Sequence, residues 1–224
     1  MMTLQENKTK IFNQVAQATI EAGRPQNSVT VVAVTKYVDS EVARALVDIG
    51  VTHIGENRVD KFLDKYQALK DYDLTWHLIG TLQRRKVKDV INYVDYFHAL
   101  DSVKLAAEIQ KRAEHPVKCF LQVNISGEES KHGFSPEEVE DALAQMADFD
   151  KVELVGLMTM APIAATEKEI ADIFSKTNLL RQQLADKKMK YMPFSELSMG
   201  MSGDYKIAIQ NGSTFVRIGT SFFK

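Results

Sequence analysis

Cysteine is nearly absent from this chain. Cys119 is the only one in 224 residues, which excludes an intrachain disulfide and a multi-cysteine zinc site. It falls in the apolar run 117–123, where a small buried thiol is expected. The five histidines, at 53, 77, 98, 115 and 132, make no HExxH or HxH pair, so no metal site is expected. Neither sign of charge dominates: 28 Lys and Arg stand against 30 Asp and Glu, a formal net charge of -2. No overall basic field is left to hold nucleic acid or an anionic membrane. The one basic cluster, Arg84-Arg85-Lys86-Val87-Lys88, reads as a solvated helix face, with a phosphate or RNA contact as the lesser alternative. No apolar stretch is long enough for a membrane span or a signal segment, so a cytoplasmic protein is expected. The GxGxxG fingerprint, internal repeats and low-complexity segments are missing as well.

What is present is an alternation. Leu4, Ile11, Val15, Ala18 and Ala22 recur at helical spacing, which predicts a helix over about 3–22, stopped by Gly23 and Pro25. Apolar runs then begin near Val29, His53, Thr75, Tyr96, Val117, Leu154, Glu196 and Thr214, each but the last followed by helical pattern. Ser135-Pro136-Glu137-Glu138 and Thr166-Glu-Lys-Glu169 read as capping boxes that start two of those helices. Strands alternating with helices imply a parallel sheet, because parallel neighbours need a crossover between them. Eight such units predict an α/β fold: one (β/α)8 TIM barrel over about 29–224, preceded by the extra helix, with 1–224 as a single domain. An open doubly wound sheet is the alternative.

In such a barrel the chemistry sits where the strands end at their C-terminal side. Here those ends are polar: Lys36, Glu56 with Asn57, His77 with Gly80, Asn124 with Ser126, Ser198 with Ser202, and Arg217 with Gly219 and Thr220. Lys36 closes the run Val29-Thr-Val-Val-Ala-Val-Thr-Lys36. At a buried strand end desolvation would push its amine toward the neutral form that attacks aldehydes; alternatively it is the first solvated residue after the strand. His77 is either a general base or a histidine satisfied by backbone at a strand end.

Phosphate-binding barrels use the loops after strands 7 and 8. Ser198-Met-Gly-Met-Ser-Gly203 and Arg217-Ile-Gly-Thr-Ser221 supply glycines and hydroxyls at both places, although each glycine alone could simply mark a turn. Strand alternation puts Arg217 on the side of Phe215 and Gly219. Its guanidinium could face a pyridine nitrogen, pair with Glu56, or bind phosphate. A lysine, an anion cup and an arginine fit pyridoxal 5′-phosphate (PLP), and equally a Schiff-base lyase acting on a sugar phosphate.

The sequence resembles the pyridoxal phosphate homeostasis protein family, small PLP-binding proteins with a fold like the barrel domain of alanine racemase. The resemblance runs through nearly the whole chain: Ala33-Val-Thr-Lys36, Ile54-Gly-Glu-Asn-Arg-Val59, Trp76-His-Leu-Ile-Gly-Thr-Leu-Gln83, Gln122-Val-Asn-Ile-Ser126 with Ser130-Lys-His-Gly133, Gly156-Leu-Met158, Leu197-Ser-Met-Gly-Met-Ser202 and Val216-Arg-Ile-Gly-Thr220. It implies that Lys36 forms a covalent aldimine with PLP. It further implies that Ser202, Gly219 and Thr220, helped by Ser198, hold the phosphate, that Arg217 faces the ring nitrogen, and that Asn57 and Met158 line the ring. The chain departs from the family at Arg58, where tyrosine is common, and at Gly203, where an acid is common. These departures bear on local packing and on the support of the phosphate loop.

Alanine racemase adds a β domain that supplies a second base from the partner subunit, and no residues are expected here to build one. The resemblance therefore implies a non-catalytic PLP carrier, a monomer that buffers the cofactor or delivers it to PLP-dependent enzymes. An amino-acid racemase or related PLP enzyme and a sugar-phosphate lyase are the alternatives.

Overall fold

Each apolar run becomes a parallel strand in the computed structural model of the chain, which describes residues 3–128 and 132–224. The strands are β1 Thr30–Val34, β2 His53–Glu56, β3 Thr75–Leu78, β4 Tyr96–Leu100, β5 Val117–Gln122, β6 Val152–Met158, β7 Glu196–Met201 and β8 Phe215–Ile218. Each pairs with the next, and β8 pairs in parallel with β1, so the sheet closes into a barrel. The helices are α1 Leu4–Glu21, α2 Ser40–Asp48, α3 Val59–Leu69, α4 Val87–Val90, α5 Val103–Arg112, α6 Val139–Met146, α7 Glu167–Asp186, α8 Tyr205–Gln210 and α9 Thr220–Phe223.

Local chemistry sets the helix starts. At Thr3 and at Thr166 the hydroxyl accepts the backbone N–H of Glu6 and Glu169, and each glutamate reaches back to the cap's own N–H. Ser135 and Glu138 make a third such box, which opens a 3-10 turn that runs into α6. The predicted helix after β3 is broken: a 3-10 turn at Arg84–Lys86, the four residues of α4, and a second 3-10 turn at Ile91–Tyr93. Val87 and Val90 are buried there while Arg84, Arg85 and Lys88 are exposed, so the basic cluster is a solvated face. The last strand also has a helix after it, the short α9, which the periodicity did not foretell. The Asn7 side chain in α1 donates to the carbonyls of Phe222 and Lys224 and ties that end down.

Two packed layers result. Outside the sheet, apolar side chains such as Leu46, Phe62, Ile109 and Phe174 are fully buried between strands and helices. Inside it, strand alternation turns aromatic and polar side chains inward. His77 stacks on Tyr96 at 4.9 Å between centroids and His98 on Phe120 at 4.5 Å, with Phe215 against both Tyr96 and Phe120. The interior is thus a packed core with a mouth at the C-terminal strand ends.

Candidate functional site

A cavity of about 670 Å³ opens at that mouth, within the size range of small-molecule sites. It collects Lys36, Asn57, Ser202, Arg217, Gly219 and Thr220 from four separate chain segments. Tyr37 and Met160, which the sequence reading did not single out, also line it, as does Met201 of the segment Ser198–Gly203. Met158 and Ser198 are not among the lining residues: both are buried, and they pair with each other across β6 and β7 one layer below. Alternation along β6 would have pointed from Met158 to Met160, two residues on and past the strand end.

Lys36 lies beyond the end of β1, on a turn, with its side chain exposed and its Nζ 4.8 Å from the ring centroid of Tyr37. The expectation of a desolvated lysine at a buried strand end is therefore corrected: the strand stops two residues earlier, and the amine reaches the cavity from its solvent side. What is buried is the residue before it. Thr35 Oγ1 donates to Glu56 Oε1 at 2.6 Å, and Lys65 Nζ donates to the Thr35 carbonyl at 2.9 Å. Glu56 faces α3 and pairs with Lys65, so the alternative in which Arg217 pairs with Glu56 is excluded.

Arg217 is only 5% exposed. Its Nη1 donates to Ser198 Oγ, and its Nη2 to the Thr159 carbonyl at 3.3 Å. Among the described residues no carboxylate forms an ion pair with it. Desolvation pushes its pKa down to about 10, opposed by the more distant Asp204, so it remains protonated near neutrality. A buried cation without a counter-charge is costly, and at the floor of a cavity it calls for an acceptor from outside the chain.

The other end of the cavity is built by the segments after β7 and β8. Gly200 has φ +96, and an added Cβ would meet Ala208 Cβ at 2.6 Å, so glycine lets β7 turn directly into α8. The Met201 N–H donates to Asp204 Oδ1 at 2.6 Å, and the Gly219 N–H lies 3.4 Å from Ser202 Oγ. This brings the two Gly/Ser/Thr segments together as a cup of N–H and hydroxyl groups. Gly203 has nothing within 4 Å of an added Cβ, and the acid next door, Asp204, already braces the loop. Arg58, the other departure, is exposed and pairs with Asp60 at 2.8 Å, so core packing does not depend on it.

Of the remaining strand-end residues Gly80 lines the cavity, and the others lie elsewhere. Asn124 Oδ1 accepts from Ser126 Oγ and the Gly127 N–H, closing its own turn. Ser130 and Lys131 fall outside the described residues. His77 is satisfied by two other histidines rather than by backbone, and it does not reach the cavity. Burial holds the imidazoles of His77 and His98 well below their ordinary pKa, and that of His53 below it. His77 and His98 are fully buried groups of the barrel interior.

Comparison with known proteins agrees with this fold. The family model for alanine racemase, N-terminal domain, matches residues 13–224. The chain is 39% identical over 221 residues to the pyridoxal phosphate homeostasis protein of Aquifex aeolicus, covering 97% of this chain and 96% of that one. It is 33% identical to the protein of the same name from Escherichia coli K12, covering 100% and 97%. Among solved structures, PipY of Synechococcus elongatus with PLP bound superposes with a TM-score of 0.83 at 31% identity, covering 94% of this chain and 100% of that one. An alanine racemase from Clostridium difficile shares the fold at a TM-score of 0.72 and 16% identity; 95% of this chain covers 56% of it.

Proposed function

The chain belongs to the alanine racemase N-terminal domain family and to the pyridoxal phosphate homeostasis proteins within it, and from that premise we propose that it holds PLP in the cavity at the barrel mouth. The observation that carries this reading is Arg217, a buried guanidinium with no carboxylate partner among the described residues, on the floor of a cavity whose rim bears a lysine and a hydroxyl-rich cup. When bound, the cofactor supplies an electrophilic aldehyde and an electron-accepting ring. Lys36 Nζ would hold the aldehyde carbon covalently, as an aldimine, with the aldehyde oxygen leaving as water. The Ser202 hydroxyl, the Gly219 N–H and Thr220 hold the phosphate. Asn57 flanks the ring, with Met160 at the rim above Met158. Ser198 acts on Arg217 rather than on the phosphate.

The same residues favour holding over turnover. Among the cavity-lining residues the titratable side chains are Lys36, Tyr37 and Arg217, with no histidine or carboxylate to move a proton opposite the lysine. Tyr37 shares the lysine's turn and is 78% exposed. A protonated Arg217 aimed at the ring nitrogen keeps that nitrogen unprotonated and weakens the ring as an electron sink. The protein therefore acts as a cytoplasmic carrier that shields PLP and buffers or delivers it to dependent enzymes.

Loading with PLP followed by absorbance tests this. A yellow protein whose colour is lost in Lys36→Ala supports the reading, and a protein that takes up no PLP sinks it. Amino-acid α-proton exchange at enzyme-like rates, abolished by Lys36→Ala, would favour a racemase. A colourless protein that cleaves a sugar phosphate would favour the lyase.

A further inference from the structure

Three histidines from successive strands form an unbroken run of ring-to-ring hydrogen bonds inside the barrel. His53 Nδ1 lies 2.9 Å from His77 Nε2, and His77 Nδ1 lies 2.9 Å from His98 Nε2. The run continues across the interior from β4 to β7, where His98 Nδ1 is 2.7 Å from Ser198 Oγ. It ends on β8, where Ser198 Oγ accepts from Arg217 Nη1. Strand register builds the climb. His77 pairs with Gly55, two residues above His53, and Tyr96, two residues below His98, pairs with His77. One histidine per strand thus rises by two residues at each step, following the stagger of a closed barrel.

The bonding roles along this column follow from its upper end. Arg217 can only donate, so Ser198 Oγ accepts from it. Among the described residues the Ser198 hydroxyl proton has one acceptor, His98 Nδ1. That places the His98 proton on Nε2, where it is donated to His77 Nδ1, and the His77 proton on Nε2, where it is donated to His53 Nδ1. Every donor therefore points away from the cavity. The reverse assignment would leave the Ser198 hydroxyl buried with no acceptor, at the cost of an unmade hydrogen bond. His77 and His98 are 0% exposed, and desolvation opposes the protonation of both, with the Arg217 charge adding to it at His98.

We propose that Ser198, backed by His98, His77 and His53, is a positioning device for Arg217: a one-way train of neutral donors that fixes the guanidinium without compensating its charge. An aspartate at position 198 would hold the arginine just as firmly but would neutralise it. A hydroxyl anchored by an imidazole holds it and leaves its charge, and its remaining N–H groups, for a ligand in the cavity. The role toward the cofactor rests on the PLP reading above, whereas the polarity of the column does not.

Two measurements test this. In nitrogen-15 NMR of the full chain at pH 7, with and without PLP, His77 and His98 carry their proton on Nε2. Scalar coupling then appears across the His98 to His77 and the His77 to His53 hydrogen bonds. A proton on Nδ1 of either residue, or an imidazolium, overturns the proposal. In the PLP-loaded protein, Ser198→Ala moves the pH midpoint of the cofactor absorbance by about half a unit or more. Ser198→Thr, which keeps the hydroxyl, restores it, and Arg217→Lys moves it as well. If Arg217→Lys moves the midpoint and Ser198→Ala does not, the column does not position the arginine and the proposal fails. If neither moves it, Arg217 does not face the cofactor; the proposal fails there too, while the Lys36 test of PLP binding stands unaffected. Should Ser198→Ala not fold, the NMR result on the unaltered chain decides.

Discussion

Lys65 and Glu56 form an ion pair at 2.5 Å whose side chains are 2% and 0% exposed. Lys65 comes from α3 and Glu56 from the end of β2, and the same ammonium donates to the carbonyl of Thr35, the residue before Lys36. The turn that presents Lys36 to the cavity is thus stapled from behind by a buried charge pair. Among the described residues Glu56 Oε2 has no hydrogen-bond partner, and Lys65 and Thr35 share the other oxygen.

Removing one member of such a pair leaves the other charge buried and alone. Lys65→Met is expected to cost about 3–5 kcal/mol of stability in urea unfolding, while Lys65→Met combined with Glu56→Leu costs far less. A single variant as stable as the unaltered protein would show that the pair is not desolvated in solution.

The histidine column predicts a pH dependence of stability. His77 and His98 have folded-state pKa values well below the ordinary 6.5, chiefly from burial. The unfolded chain therefore binds more protons in that window, and stability rises with pH there. The contribution is complete above about pH 6.5 and is lost progressively as pH falls from there toward the folded-state values. Where both imidazoles are charged in the unfolded chain and neutral in the folded one, the slope approaches about 3 kcal/mol per pH unit. Urea unfolding at pH 5.0, 5.5 and 6.0 measures it, and a flat or falling profile would contradict neutral buried imidazoles.

Two glycines should respond oppositely to a methyl group. A Cβ on Gly80 would lie 2.1 Å from the Asn57 carbonyl oxygen, a backbone atom that cannot step aside. Gly80→Ala is expected to destabilise by about 1–3 kcal/mol and to weaken ligand binding by displacing Asn57. Gly203→Ala meets nothing within 4 Å and should change stability by less than about 0.5 kcal/mol. Thermal unfolding of both variants checks the contrast.

Cys119 is fully buried, and desolvation pushes its thiol pKa far up. In the folded protein it should resist a thiol-specific disulfide reagent at pH 8 and react fully in denaturant. Rapid labelling of the folded chain would show that β5 opens readily.

The barrel was legible because strand and helix periods differ and because a run of eight such units has few ways to close. Lys36, Arg217 and the hydroxyls near 202 and 220 stood out as polar residues where apolar runs stop. What periodicity could not supply was how deep each strand end sits. Ser198 and Lys36 both read as strand-end residues, yet one is buried within β7 and the other is exposed beyond β1. The histidine column was hidden for a related reason. Its members are 24 and 21 residues apart, and only the pairing register aligns them. The one signal available was a single histidine at an inward position in each of three successive strands.

The central claim, that Lys36 is the residue that captures the cofactor, is tested most directly by trapping. Protein loaded with PLP, reduced with borohydride and digested should carry one pyridoxyl group on the peptide containing Lys36, and none on that peptide in Lys36→Ala. A pyridoxyl group found on another lysine, with Lys36 unmodified, would contradict it.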